Sequence, residues 1–486
     1  MDGIHDAPEA RARALGGTVR RFAPAPQDAT PADAPPAAAA PSAPESAVAA
    51  AQVAGLTEDG LALAFAATYG GRLLHDHDAG RWLEWCGSHW RECRTPLAFH
   101  SARELARLAV AVLPERDRPK SPLRAAFAAA VERFAAADPV FARHSGDFDR
   151  DPWLLATPGG TVDQRTGAMR RADPADMLTR CTSVAPAERA DRPRWLRFLH
   201  DATQGDAELI AHLQRFTGYG LTGLTTEHML MFVHGSGKNG KSTFVNALQH
   251  VFGDYAVVAP AETFAASHHD RHPTELAMLR GARLVVASET EEGRAWAEAR
   301  VKSLTGGDPI TARFMRKDFF TFIPTFKLLI VGNHKPVLRN VDEAMRRRIH
   351  IVPFTHKPPQ PDPNLGEALR AEGPGVLRWA MDGCLAWQRH GLAPPQVVRA
   401  ATERYLADQD VFGAWAAERL IFGPNLSERP GTLLADFNAW ALRNGEGQRS
   451  RHALKTWLDR QPDLGRRTVR GVDYVRGVAL RRDDER

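Results

Sequence analysis

The run Met229-Leu230-Met231-Phe232-Val233-His234-Gly235-Ser236-Gly237-Lys238-Asn239-Gly240-Lys241-Ser242-Thr243 decides the fold. Its apolar start, Met229–Val233, reads as a short buried strand, the glycines as a loop, and Ser242–Val251 as a helix. The loop satisfies G-x-x-x-x-G-K-[ST] in the strand–loop–helix setting that motif requires. Gly235, Gly237 and Gly240 let the backbone N–H groups turn inward around phosphates, with Ser236, Lys238 and Asn239 completing the cradle. The helix N-terminus then faces the anion with its partial positive charge. Lys241 is expected to reach the β- and γ-phosphates, Ser242 to ligate Mg²⁺, and Thr243 to assist beside it. ATP and Mg²⁺ are the expected cofactors. The motif alone does not separate a motor from a kinase or a transporter ATPase.

Working outward, further strands are predicted at Arg283–Ala287, Ile310–Phe314, Phe319–Phe322, Lys327–Val331 and His350–Phe354, with helices between several of them. This alternation predicts an α/β P-loop core over residues 206–358. The strand Leu284–Ala287 runs through Ser288 to Glu289, a carboxylate placed to hold the metal, to activate water, or both. The strand Lys327–Val331 runs on to Asn333, a candidate sensor of the γ-phosphate. Arg346-Arg347-Arg348 leads straight into an apolar strand, and Arg347 or Arg348 is expected to stabilise transition-state charge in a neighbouring subunit. Between acid and sensor, Arg316 and Lys317 tip a predicted hairpin that offers cations to the phosphates of a DNA strand.

The flanks are less regular. Residues 1–55 are rich in Ala and Pro and are expected to stay a disordered tail. Residues 56–205 read as a mostly helical leading domain with a small β element: helices over Leu61–Tyr69, Ala102–Leu113, Pro122–Ala136 and Arg194–Thr203, and a Trp-rich hairpin over Arg81–Cys93. Within it Cys86-x-x-His89-x-x-x-Cys93 hints at zinc, yet reads more simply as a hairpin around a Gly87–Ser88 turn. Residues 359–430 read as a helical linker region, with helices around Gly375–Gln388 and Pro395–Glu418. Residues 431–486 read as a winged-helix-like DNA-binding domain, from two helices and a strand pair, Arg467–Arg470 and Val475–Leu480. A formal charge of +5 and four scattered cysteines fit a polyanionic partner and a reducing, cytoplasmic setting, and no apolar run is long enough to span a membrane.

Together these stretches resemble the superfamily 3 helicases, more closely the phage and plasmid primase-helicases related to the poxvirus nucleoside triphosphatase and the satellite-phage replication protein. The resemblance runs through Trp153–Gly167 with Thr157-Pro158-Gly159-Gly160-Thr161-Val162-Asp163, the glycine-rich loop, Leu279–Gly293, Lys302–Pro309 and Phe326–Phe354. It covers roughly residues 60 to 420, with the winged-helix tail a looser match. It implies an AAA+-like core, a homo-hexameric ring, and ATP-driven 3′-to-5′ movement on single-stranded and forked DNA during replication. Lys241 and Ser242 match the phosphate-loop pair, Glu289 the acidic motif, Asn333 the sensor and Arg348 the trans-acting arginine, with Lys317 near the hairpin tip. The usual acidic pair is absent, which leaves the metal ligand open. The Ala/Pro tail holds no paired-carboxylate polymerase site, so primase activity is not carried over, and a separate primase or origin-binding protein is an expected partner. The competing readings are a small-molecule phosphotransferase and an NTP-regulated origin-binding assembly protein that separates no strands.

Overall fold

The structure, a computed structural model, describes residues 56–189, 191–266, 274–288, 295–315, 318–338 and 342–481. Glu289, Arg316 and Lys317 lie outside the described residues, as does the tail before residue 56. The first helix, α1 (Glu58–Tyr69), starts where the Thr57 hydroxyl accepts from the Gly60 N–H, with Glu58 and Asp59 favouring the positive helix end. Strands β1 (Leu73–Asp76), β2 (Arg81–Trp85), β3 (Trp90–Glu92) and β4 (Ala142–Arg143) form a sheet in the order β3-β2-β1-β4. Helices α2 (Leu97–Ala111) and α3 (Ala125–Ala137) pack with α1 over Leu61, Phe65, Leu105, Val131 and Phe141. A second sheet follows from β5 (Leu154–Thr157), β6 (Gly160–Asp163) and β7 (Ala168–Arg170). The hairpin β2–β3 and short strand signals near Trp153–Ala156, Thr161–Val162 and Met169–Arg170 are legible in the sequence, whereas β1 and β4, four and two residues long, are too short to leave a readable alternation.

Helices α4 (Pro193–Thr203) and α5 (Ala207–Gly220) lead into the central sheet. Its strands are β8 (Leu230–His234), β9 (Ala256–Val258) and β10 (Leu284–Ser288), then, beyond the hairpin β11 (Ile310–Arg313) and β12 (Phe319–Phe322), β13 (Lys327–Gly332) and β14 (Ile349–Pro353). The order is β14-β8-β13-β10-β9, every pair parallel. Sequence reading finds all of these except β9, which is only three residues long. The strands are near-continuous apolar runs because both sheet faces are covered. Met231, Val233, Val286, Leu329 and Val331 face one core with Leu213, Phe244, Leu248 and Trp379. Leu230, Phe232, Val285, Leu328 and Ile330 face the other with Val301, Leu304 and Tyr405. The first layer is built by α4, α5, α6 (Lys241–Phe252) and a helix at Gly373–His390; the second draws on α7 (Glu298–Gly306). Helix α8 (Glu343–Arg348) feeds β14 directly.

The tail departs from expectation in two places. Pro395–Glu418 is two helices, α9 (Gln396–Gln409) and α10 (Val411–Arg419), broken at Asp410, whose carboxylate accepts from the Gly413 N–H and starts the second. Leu420–Glu428, read as part of the helical linker, is strand β15. It pairs with β17 (Val472–Leu480), which pairs in turn with β16 (Gly465–Val469), all antiparallel. Helices α11 (Pro430–Arg443) and α12 (Arg451–Leu458) pack on this sheet around Trp415, Phe437, Trp440, Leu454 and Val478. Among the described residues no helix is long and apolar enough to cross a membrane.

Candidate nucleotide site

Parallel strands gather their carboxyl ends at one edge, and in such sheets ligands sit where the strand order switches direction. Here β8 is flanked by β14 and β13, the last two strands of the sheet in sequence, so its loop opens at that switch. The loop bends through Gly237 (φ 92°) and Gly240 (φ 85°), left-handed angles that suit glycine, and through Lys238 (φ 56°), which adopts one as well. A Cβ on Gly235 would fall 2.0 Å from both the Asn239 Nδ2 and the Phe354 carbonyl, so only glycine fits there.

Lys241, the first residue of α6, folds back into the loop. Its ammonium donates to the Gly235 carbonyl at 2.6 Å, to Asn239 Oδ1 at 3.0 Å and to Asn333 Oδ1 at 3.0 Å. The side chain is 6% exposed, and no carboxylate among the described residues pairs with it. Burial lowers its pKa, and the Lys357 charge nearby lowers it further. A desolvated cation held only by neutral oxygens is costly, and an arriving anion relieves that cost.

Of the expected cradle, Ser236 and Lys238 are exposed and Gly237 half-buried, whereas Asn239 turns inward. Asn239 is 2% exposed and bridges two elements, its amide donating to the Phe354 carbonyl beyond β14 while its oxygen takes the Lys241 bond. Ser242 is exposed on the first turn of α6, where a metal ion bridging to phosphate would meet it, and Thr243 is half-buried beside it. Asn333 is exposed just past β13 and joins the same cluster. Three groups went unread in the sequence. Lys357 follows β14, Lys335 follows Asn333, and His234 ends β8; burial and then the Lys335 charge keep the His234 pKa low. Only the order of strands brings them together, and no local pattern announces it. Strand β10 ends at Ser288, the residue before Glu289.

The arginines do not join this cluster. Ile349 pairs with Leu230, so Arg348 stands level with Met229 at the opposite end of the strands, six residues short of Gly235. At ~3.3 Å per residue that is about 20 Å from the loop. Arg348 is half-buried and donates to Thr305 Oγ1 at 3.1 Å and to the Ala344 carbonyl at 2.9 Å. Arg347 is exposed, with no hydrogen bond or ion pair among the described residues. The hairpin β11–β12 presents Phe314, Met315 and Phe319 to solvent, with the Arg313 guanidinium 4.9 Å from the Phe319 ring centre. In the leading sheet, Cys86 and His89 form a hydrogen-bonded pair (Sγ to Nδ1 3.2 Å), and no cluster of metal-ligating side chains occurs among the described residues.

Residues 62–204 match the family described as D5 N terminal like, and residues 233–348 match DUF5906, a family of unknown function. A putative helicase, L207/L206 of Acanthamoeba polyphaga mimivirus, is 25% identical over 310 residues, 58% of this chain and 32% of that protein. A putative helicase, 022R of Frog virus 3 (isolate Goorha), is 25% identical over 272 residues, 50% of this chain and 28% of that protein. The matches thus span a third or less of these relatives' lengths. Among solved structures, the A form apo structure of the NrS-1 C terminal region is 10% identical with a TM-score of 0.43, covering 84% of this chain and 96% of that one. The chain is therefore similar over residues 62–204 to the D5 N-terminal-like family and over residues 233–348 to DUF5906, and its relatives include viral proteins named as putative helicases.

Proposed function

We propose that this chain is an ATP-dependent DNA helicase of the phage and plasmid type, working in replication as a homo-hexameric ring on single-stranded and forked DNA. The observation that carries the nucleotide part is Lys241, a buried cation bonded to three neutral oxygens and to no carboxylate among the described residues. A triphosphate supplies the missing negative charge, and the glycine bends leave its oxygens room against the loop backbone. The exposed Ser242 fits the role of Mg²⁺ ligand, with Glu289 the candidate carboxylate. Asn333, sharing Lys241 with the loop, is suited to report whether the γ-phosphate is present.

The arginine position supports assembly. A side chain about 20 Å from its own phosphate loop serves hydrolysis only by reaching a second copy. Of the two candidates, Arg347 is the one with no hydrogen bond or ion pair among the described residues, and Arg348 holds α8 to α7 through Thr305. Aromatic and basic residues together on the hairpin favour a motor over a small-molecule phosphotransferase, since stacking and phosphate contact are how single strands are gripped.

The test is hydrolysis of ATP with and without single-stranded DNA, beside strand displacement on a tailed duplex. DNA-stimulated hydrolysis with displacement is expected, and Lys241→Ala abolishes both. Hydrolysis indifferent to DNA, with no displacement, would overturn the motor reading, and wild-type turnover in Lys241→Ala would overturn the assignment of the site.

A further inference from the structure

A cavity of about 620 Å³ lies where α8 of the sheet domain, the start of α10 and helix α12 converge. Its wall carries Arg346, Arg449, Arg460, His452, Phe412 and Trp457. The three arginines come from separate places in the chain: one precedes β14, one lies in the loop before α12, and one follows α12. All three are exposed, and none of their guanidinium groups is in a hydrogen bond or ion pair among the described residues. Burial raises the Asp342 pKa, but the Lys302 contact and the Met345 N–H outweigh it and hold the carboxyl below its usual range, and Arg460 is near enough to add to that lowering. One acid, Asp410, also lines the wall, and its carboxylate is engaged by the Gly413 N–H. Three converging cations against one occupied acid make a site for a polyanion.

Shape and floor narrow the choice. A protein element that reads duplex DNA is convex and enters a groove, whereas this site is concave. Its Trp457 and Phe412 rings stack 5.8 Å apart at 29°, which adds flat aromatic surface to the cationic wall. Cations tracking a backbone beside aromatic rings is the arrangement that takes a single strand. The volume falls in the range of ligand sites, roughly 300–1,000 Å³.

We propose that this cleft holds the sugar-phosphate backbone of one nucleic-acid strand and, through Arg346, couples that strand to the six-residue helix α8 that carries Arg347. The inference rests on the reading that the chain works on nucleic acid, and adds a second contact far in sequence from the hairpin. Arg346 and Arg347 are consecutive on α8, so a phosphate bound by the first fixes the helix from which the second projects. Occupancy of the cleft then governs the arginine offered to a neighbour.

The test uses the full chain and a fluorescently labelled oligothymidine, with binding followed by anisotropy across a salt series. Each phosphate contact on a single strand contributes about 0.7 to the slope of log affinity against log salt. Arg449→Ala with Arg460→Ala removes two, so the slope falls by about 1.4 and affinity at 0.1 M salt by about 25-fold. Binding of a fluorescent ATP analogue and the melting temperature report that the double variant is folded. An unchanged slope and affinity in a folded double variant would overturn the cleft while leaving the motor reading intact. A wild-type chain that binds no strand at low salt would remove both. Polyglutamate competing as well as the oligonucleotide at equal charge would show a general polyanion site and overturn the single-strand assignment. At saturating oligonucleotide, Arg346→Ala loses the strand's acceleration of hydrolysis, and undiminished acceleration would refute the coupling.

Discussion

Asn239→Asp tests the charge logic of the phosphate loop without deleting any of its cations. The substitution keeps the shape of the side chain and places a carboxylate where Oδ1 now sits, 3.0 Å from the Lys241 ammonium. The ammonium gains the counter-ion it lacks. A phosphate oxygen binds the other side of that ammonium at ~2.8 Å, so the two negative charges stand about 6 Å apart. At an effective dielectric of ~20 their repulsion is about 3 kcal/mol, or roughly a hundredfold in affinity. The same change removes the donor to the buried Phe354 carbonyl, which costs about 1–3 kcal/mol of stability, while the new ion pair offsets part of it. The assay is equilibrium binding of a fluorescent ATP analogue at low ionic strength, with thermal melting alongside. The expected outcome is a dissociation constant about a hundred times higher in a protein whose melting temperature moves by only a few degrees. A dissociation constant within twofold of wild type would refute the argument that the uncompensated Lys241 charge is what the loop offers to phosphate.

Three other outcomes are expected. Arg347→Ala keeps nucleotide binding and folding but lowers turnover of the assembled protein by about 10³, whereas Arg348→Ala chiefly loses about 1–2 kcal/mol of stability through its Thr305 and Ala344 bonds; full turnover in the first or an unmoved melting curve in the second would reverse those roles. At Cys86, burial raises the thiol pKa, but hydrogen bonds from His89 and Ser88 outweigh it and bring it down to about 6, while His89, lowered by burial, is raised to about 10 by its bonds to Cys181 and Cys86. The thiolate's contribution to stability is lost as pH falls through about 6, and the imidazolium's as pH rises through about 10. Alkylation of Cys86 by iodoacetamide is therefore expected to be half-maximal near pH 6, and a midpoint near the ordinary thiol value of 9.0 would sink the pairing.

The central sheet is legible in the sequence because each strand is buried on both faces and so leaves an uninterrupted apolar run, as in Leu284–Ala287 and Leu328–Val331. The bends of the glycine-rich loop are legible because glycine spacing encodes backbone angles directly. What stays hidden depends on partners remote in sequence. Strand β15 contains Gly423 and Pro424, which read as breakers, yet they fall where its pairing with β17 shifts register between Phe422 and Ser427. Asn239 reads as one more cradle residue, and its inward turn follows from β14 lying beside β8. Lys357 carries no signal in the sequence, and the same adjacency puts its charge near Lys241. Arg348 reads as a trans-acting group from its motif alone, and its bond to Thr305, on a helix 43 residues earlier, has no signal in that motif.

The glycine-rich loop and helix α8 stand at opposite ends of neighbouring strands in one parallel sheet, and this has a consequence for symmetry. A contact that brings Arg347 of one copy to the loop of another joins two unlike surfaces. A two-fold axis pairs each surface patch with itself and does not satisfy such a contact at both ends at once. Copies joined in this way are all oriented in the same sense, and each leaves one donor end and one acceptor end open until the series returns to its start. Closure into a cycle is then the arrangement in which no copy is left with a half-built site, and an open series grows into a filament.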